Sequence, residues 1–205
     1  MKRIMKNIGG LFVHPIETFD EMKFVRYQSW PFVLGLMVVW FAVAVLERQY
    51  VGFRFNYNDP DKLNIFIILS RTILPYILFC VCNWAVSTLM DGEGKFGEIF
   101  TYIGYVIVPH ILMMVVNMAL SNILTAEEGF ILTWVSQAFT IFFVCIGYQA
   151  VRVVHQYGFS KTVWTILLTI FVMLVVVILG FLLYSLFSQV FVFIGTVYKE
   201  IRFRI

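Results

Sequence analysis

The chain has 205 residues, of which 61% are hydrophobic and 13% charged, with a formal net charge of +3. Ordinary globular domains carry roughly 45–50% apolar and about 25% charged residues, so this composition, with a mean hydropathy of +0.89, excludes a soluble domain and points to a polytopic membrane protein. The small positive charge is not gathered on one face, which excludes a nucleic-acid partner and reads instead as a statement about membrane orientation.

Residues 1–29 carry five Lys or Arg and no apolar run of membrane length. Ile4, Ile8, Leu11 and Phe12 share one helical face, with Lys2, Arg3 and Lys6 on the other. This is the pattern of an interfacial amphipathic helix. After Gly9-Gly10, His14-Pro15 starts a second short helix, whose apolar side is drawn from Ile16, Phe19 and Met22 or Lys23. Domain organisation follows: 1–29 as an interfacial helical segment and 30–205 as a membrane domain.

Spans are expected at about 30–46, 64–90, 97–120, 130–151 and 162–198, judged against the ~20 residues a bilayer core requires. The last run is too long for one crossing. A turn at Gly180 or within 184–189 would give six spans but leaves no two of full length, so one long helix ending in YKEIRFRI is favoured. The fold class is therefore all-α: a membrane bundle of five transmembrane helices, with a short N-terminal amphipathic segment and a long last helix. In this topology eight Lys or Arg lie on the N-terminal side and six on the other. The N-terminus is expected in the cytoplasm. Six spans would shift the tail to the N-terminal side and sharpen the asymmetry.

Residues 91–97, DGEGKFG, match the dinucleotide fingerprint G-x-G-x-x-G. That fingerprint needs a strand before the first glycine. Here CVCNWAVSTLM, the end of a span, precedes it, and the phosphate reading fails on context. The alternative is a reversal between two spans, with Gly92 and Gly94 supplying φ > 0, Asp91 and Glu93 facing water and Phe96 anchoring the next helix. Further on, GYVIVP places Gly104, Tyr105 and Pro109 in one helix, where the proline frees the Tyr105 carbonyl and a kink or broken turn is expected.

DGEGKFGEIFTYIGYVIVPHIL resembles the core of the Yip-type membrane domain, named for its eukaryotic Ypt/Rab-interacting members. HPIETFDEM, with Pro15 and Phe19, resembles that family's short N-terminal element. The resemblance implies five spans. Eukaryotic members usually carry a long cytosolic N-terminal region; with 29 residues before its first span, this chain is similar to the compact bacterial branch, in the cytoplasmic membrane.

Two intramembrane polar residues stand out. Arg71 lies about seven residues into the second span, where it can snorkel or meet a partner; Glu47, Asp59, Asp61, Glu127 and Glu128 are its candidate counter-charges. His110 follows Pro109 at mid-span with no second His or carboxylate within a turn, so it reads as a structural residue, and His14 and His155 need no special role. Cys80, Cys82 and Cys145 lie in apolar runs and read as small hydrophobes; Cys80 and Cys82 point about 200° apart on a helix and cannot share a metal. No acid, base and nucleophile converge, so no enzyme, cofactor or metal is expected.

ERQYVGFRFNYNDPDKL, with its Asp59-Pro60-Asp61 turn, and the basic-aromatic tail fall on the same side. Tyr50, Arg54, Tyr198, Lys199, Arg202 and Arg204 are expected to form one interaction surface there. The functional expectation is a non-catalytic accessory or scaffold subunit that contacts membrane lipid and other integral membrane proteins. The resemblance makes a carbohydrate ABC importer the expected assembly, with its permease subunits and solute-binding protein as partners. The alternatives are a self-contained small transporter or channel, and a membrane-shaping or trafficking factor.

Overall fold

The computed structural model describes residues 2–56 and 63–204, with the side chains of Lys2 and Arg204 outside the description. Asp59, Pro60 and Asp61 lie outside the described residues. Among those described are seven helices: α1 (Lys2–Val13), α2 (Pro15–Phe24), α3 (Trp30–Tyr50), α4 (Ile65–Leu89), α5 (Phe96–Ser121), α6 (Gly129–His155) and α7 (Phe159–Arg204). Helices α3 to α7 are each long and apolar enough to cross a membrane. The chain is a multi-pass membrane protein with an all-α fold.

Local signals set the helix ends. Pro31 and Pro15 occupy first-turn positions, where a missing N–H costs nothing. Asn64 caps α4 by accepting from the amides of Phe66 and Ile67 at 3.0 and 3.2 Å. Pro75 and Pro109 lie inside α4 and α5, and both helices continue through them; of the kink or broken turn expected at Pro109, the broken turn does not occur.

Helix α5 is the axis of the bundle. It packs on α3, α4 and α6, and thirteen of its residues are buried, Glu98 to Ile107 without interruption. Gly104 sits where α3 crosses it: a Cβ there would come within 2.7 Å of Val33 Cγ2. Tyr105 is fully buried, 4.7 Å from the ring of Phe32.

The N-terminal helices pack their apolar residues on the bundle. Leu11, Phe19 and Met22 join the same buried cluster as α3, α5 and α6. Phe12 stacks on Phe142 at 5.7 Å and Phe19 on Tyr102 at 5.9 Å. Ile16, expected on the apolar side of α2, is exposed, and Thr18 is buried in its place. The reason is packing: α2 lies against the end of α6, and only the Thr18–Phe19–Met22 edge faces it.

Helix α7 has 46 residues, roughly 69 Å at 1.5 Å per residue, against a hydrocarbon core of about 30 Å. Its first turns pack on α4 and α6. Thr162, Thr165 and Thr169 are completely buried there, each bonding the carbonyl four residues back. From Leu174 to Phe203 every residue is exposed. Asn83 of α4 meets Thr169, so antiparallel register sets Ile65, the start of α4, level with about residue 187. The remainder of α7 overhangs the bundle by roughly 25 Å.

Candidate functional site

Polar side chains collect at two ends of the bundle. The first end holds the glycine loop, the α2–α3 turn and the α6–α7 turn. Lys23 of α2 donates from Nζ to Glu98 Oε2 at 2.9 Å and to the Val154 carbonyl at 2.8 Å. Their side chains are 16% and 4% exposed, so the pair is largely desolvated. The same carboxylate oxygen accepts the amide of Lys95 at 3.3 Å, half of a capping box at the start of α5.

Beside this pair lies His155, 1% exposed. Its Nε2 is 2.9 Å from Asn83 Oδ1, while Asn83 Nδ2 donates to Thr169 Oγ1 at 3.2 Å and Thr169 to the Thr165 carbonyl at 2.7 Å. That order of donors makes Nε2 the protonated nitrogen. Nδ1 is shut from solvent with no partner among the described residues. It faces the glycine loop. A Cβ on Gly92 would lie 2.8 Å from it and 2.5 Å from the Tyr157 hydroxyl; one on Gly94 would lie 2.7 Å from it and collide with Val154 Cγ1. The Tyr157 hydroxyl donates to the Met90 carbonyl at 3.0 Å, and burial first, then the charge of Asp91, raises its pKa.

Two expectations are corrected here. Neither Gly92 nor Gly94 has positive φ; the left-handed residue of the turn is Asp91, at φ 52°. The glycines are required by close approach, because the loop is laid directly on His155 and Tyr157. His155, expected to need no special role, is the residue on which α4, α6, α7 and the loop converge. Lys23, Glu98, Asn83 and Thr169 were also not singled out. Glu98 at the third position of α5 and the Thr162–Thr165–Thr169 spacing in an otherwise apolar helix were legible signals for two of them.

Phe96 opens α5 and lies 5.9 Å from Trp30 and 6.0 Å from Trp84, closing this end with aromatic rings. Gly97 meets Gln28: a Cβ would stand 2.6 Å from its Oε1. Pro15, Phe19, Gly92, Gly94, Gly104, Tyr105 and Pro109 are therefore all placed on α2, α5 or the loop between α4 and α5, where they set close packing. On the surface, Lys6 and Glu21 pair at 2.8 Å and tie α1 to α2; the Lys6 hydrogen bond and charge hold the Glu21 pKa below its ordinary value.

The second polar centre lies at the opposite end, inside the cage of α3 to α6. A cavity of about 500 Å³ is lined by Trp40, Glu47, Arg48, Arg71, His110 and Asn117, among others. Arg71 and His110, 39 positions apart, thus share one cavity. Arg71 is exposed, and among the described residues it makes no ion pair. Glu47 shares the cavity walls with it; Glu127 is exposed at the start of α6, and Glu128 is bound to Thr125. His110 lies edge-on to Trp40 at 5.6 Å and 5.5 Å from Phe143. Gly52 closes the rim, its amide 2.9 Å from Ser121 Oγ.

Of the loop expected to join the tail in one surface, residues 57–62 lie outside the described residues. Tyr50 at the end of α3 and Arg54 just after it are exposed, as are Tyr198, Lys199 and Arg202 on the α7 overhang. The Arg204 side chain lies outside the description. Cys80 and Cys82 are buried and Cys145 exposed, all as free thiols.

The convergence of the glycine loop, Gly104 and Tyr105 on one axial helix agrees with what a family comparison finds: the Yip1 domain matches residues 9–182. The chain belongs to the Yip1-domain family. The match begins inside α1 and ends within α7, so the close-packed bundle is the Yip1 domain and the α7 overhang lies beyond it. No curated protein and no solved structure matches the chain.

Proposed function

We propose that this Yip1-domain protein is a non-catalytic accessory subunit that assembles with other integral membrane proteins through the second half of α7. One observation carries the reading: 30 consecutive residues, 174–203, are exposed, and most are Val, Leu, Ile or Phe. A helix apolar on all sides has to be buried, in lipid or in protein. α7 is more than twice as long as the hydrocarbon core is thick, so lipid alone does not cover it without a steep tilt. A second membrane protein does. Lys23 and Glu98 are spent on each other and on backbone, and Asn83 on His155 and Thr169, which supports a structural rather than catalytic use.

For the partner, the bacterial resemblance favours the permease subunits of an ATP-driven carbohydrate importer, with its solute-binding protein above them. The excess of Lys and Arg at the glycine-loop end supports placing that end in the cytoplasm of a bacterial cell. A self-contained small transporter is the second reading, favoured by the Arg71–His110 cavity.

The test is purification in mild detergent through an N-terminal tag, with mass spectrometry of what accompanies the chain. Stoichiometric permease and ATPase subunits, lost from a chain ending at Tyr184, are expected. Recovery of the chain alone, or of the same partners without residues 185–205, overturns the reading.

A further inference from the structure

The outer face of the α1–α2 hairpin carries exposed charges at the depth of the spans. Helix α3 has 21 residues, about 31 Å at 1.5 Å per residue, so its two ends mark the two faces of a hydrocarbon core about 30 Å thick. Three contacts place the hairpin along it. Lys23, near the end of α2, bonds Glu98 in the first turn of α5. Phe19 stacks on Tyr102, two residues after Phe100, on which Trp30 at the start of α3 is stacked at 4.6 Å. Phe12, next to the hairpin turn, stacks on Phe142, whose neighbour Phe143 touches His110 and through it Trp40, ten residues into α3. The hairpin therefore descends from the glycine-loop end towards mid-span. Glu17, between Phe12 and Phe19, lies below the level at which α3 begins, and it is exposed, with Val13 and Ile16 exposed beside it. Acyl chains cover valine and isoleucine, but an ionised carboxylate is not left facing them.

The charges on this face are segregated by helix. Arg3 and Lys6 are exposed on α1, which has no acid; Glu17, Asp20 and Glu21 are exposed on α2, whose one base, Lys23, is spent on Glu98. Glu17 and Asp20 make no ion pair among the described residues. Between the two helices lies a groove of about 420 Å³, lined by Met5, Lys6 and Gly9 of α1 and by Glu17 and Glu21 of α2, among others. A Cβ on Gly9 would meet nothing within 4 Å among the described residues, so another backbone can come close there. We propose that this face is covered by the same face of a second copy of the chain, related by a two-fold axis along the membrane normal. Such an axis keeps every residue at its own depth and makes the contact self-complementary. Lys6 and Glu21 share a depth, as their 2.8 Å ion pair shows. The α1 of one copy therefore meets the α2 of the other with Lys6 beside Glu17 and Glu21, and the same contact is made twice. The chain itself supplies the basic and acidic halves at matching depths, which is the complementarity that selects a second copy. The proposal rests on no part of the α7 reading.

The experiment is bismaleimide cross-linking of the full chain in its membrane, with Gly9→Cys introduced and the exposed thiol removed by Cys145→Ser. A cross-linked dimer is expected, and none above background from Ile123→Cys, an exposed position at the opposite end of the bundle. Lys6→Glu in one chain, and Glu17→Lys with Glu21→Lys in another, each set like charges face to face and should each yield roughly tenfold less dimer. Co-expressed, the two chains answer each other's charges and the dimer returns, although the ion pair within each chain stays broken. Recovery in the mixture alone separates a contact between copies from the internal Lys6–Glu21 pair. If the charge variants fail to fold by size exclusion, the Gly9→Cys chain, whose charges are natural, still decides. A chain ending at Tyr184 should keep the dimer, so failure here and failure of the α7 reading are distinguishable. No dimer from Gly9→Cys, equal cross-linking at Ile123→Cys, or a cross-link to a different protein overturns the proposal. So do folded charge variants that dimerise separately as well as they do together.

Discussion

The two polar centres are built from similar residue types and used differently. At the glycine-loop end, Lys23, Glu98, Asn83 and Thr169 are each closed off by a partner within 3.3 Å, and glycines bring backbone down onto His155. At the opposite end, Arg71, Glu47 and His110 line open space. A desolvated charge has to be paired where it is fixed, so the first centre locks α2, α4, α5, α6 and α7 together. A charge left facing a cavity keeps its affinity for something that enters. The comparison separates residues that hold the Yip1 domain from residues that line open space.

The sharpest way to break the first centre is Lys23→Met. It strands Glu98 in a buried position, and stability should fall by about 3 kcal/mol, read from denaturant or thermal unfolding in mild detergent. Adding Glu98→Gln, which keeps the cap on Lys95 and removes the stranded charge, should restore part of the loss. If the double variant is no better than the single one, the pair is not what Lys23 contributes. Next comes Gly94→Val, whose side chain runs into Val154 and His155; overpacking of this kind costs about 1–3 kcal/mol. A valine tolerated there without loss would mean that the loop is not seated on His155. The smallest effect is expected from ending the chain at Tyr184. Every described residue of the overhang is exposed, so the unfolding midpoint should move by no more than about 0.5 kcal/mol equivalent, even while partner recovery is abolished. A large loss would show that the distal helix supports the fold itself.

Much of the architecture was legible because membrane helices are written in long apolar runs. The spans starting near Trp30, Asn64, Phe96, Gly129 and Phe159 follow from length, hydropathy and the caps Pro31 and Asn64. The refusal of α7 to split was legible too, since nothing between Thr162 and Tyr198 ends a helix. The glycine loop could be located but not understood: G-x-G in a turn reads as left-handed backbone, whereas the residue that turns is Asp91. Nothing local says that His155, sixty-three positions after Gly92, will lie against it.

Hydropathy and helix signals by themselves determined the number of spans and the long last helix. Those are properties of one segment in a bilayer, decided by length against membrane thickness. Only the tertiary structure decided which polar residues are partnered. Lys23 finds Glu98 across 75 positions and Arg71 shares a cavity with His110 across 39, because helix crossing at Gly104 and close approach at Gly92 and Gly94 fix which faces meet. A charge in a sequence carries no record of its distance to another, and that distance separates the buried lock from the open site.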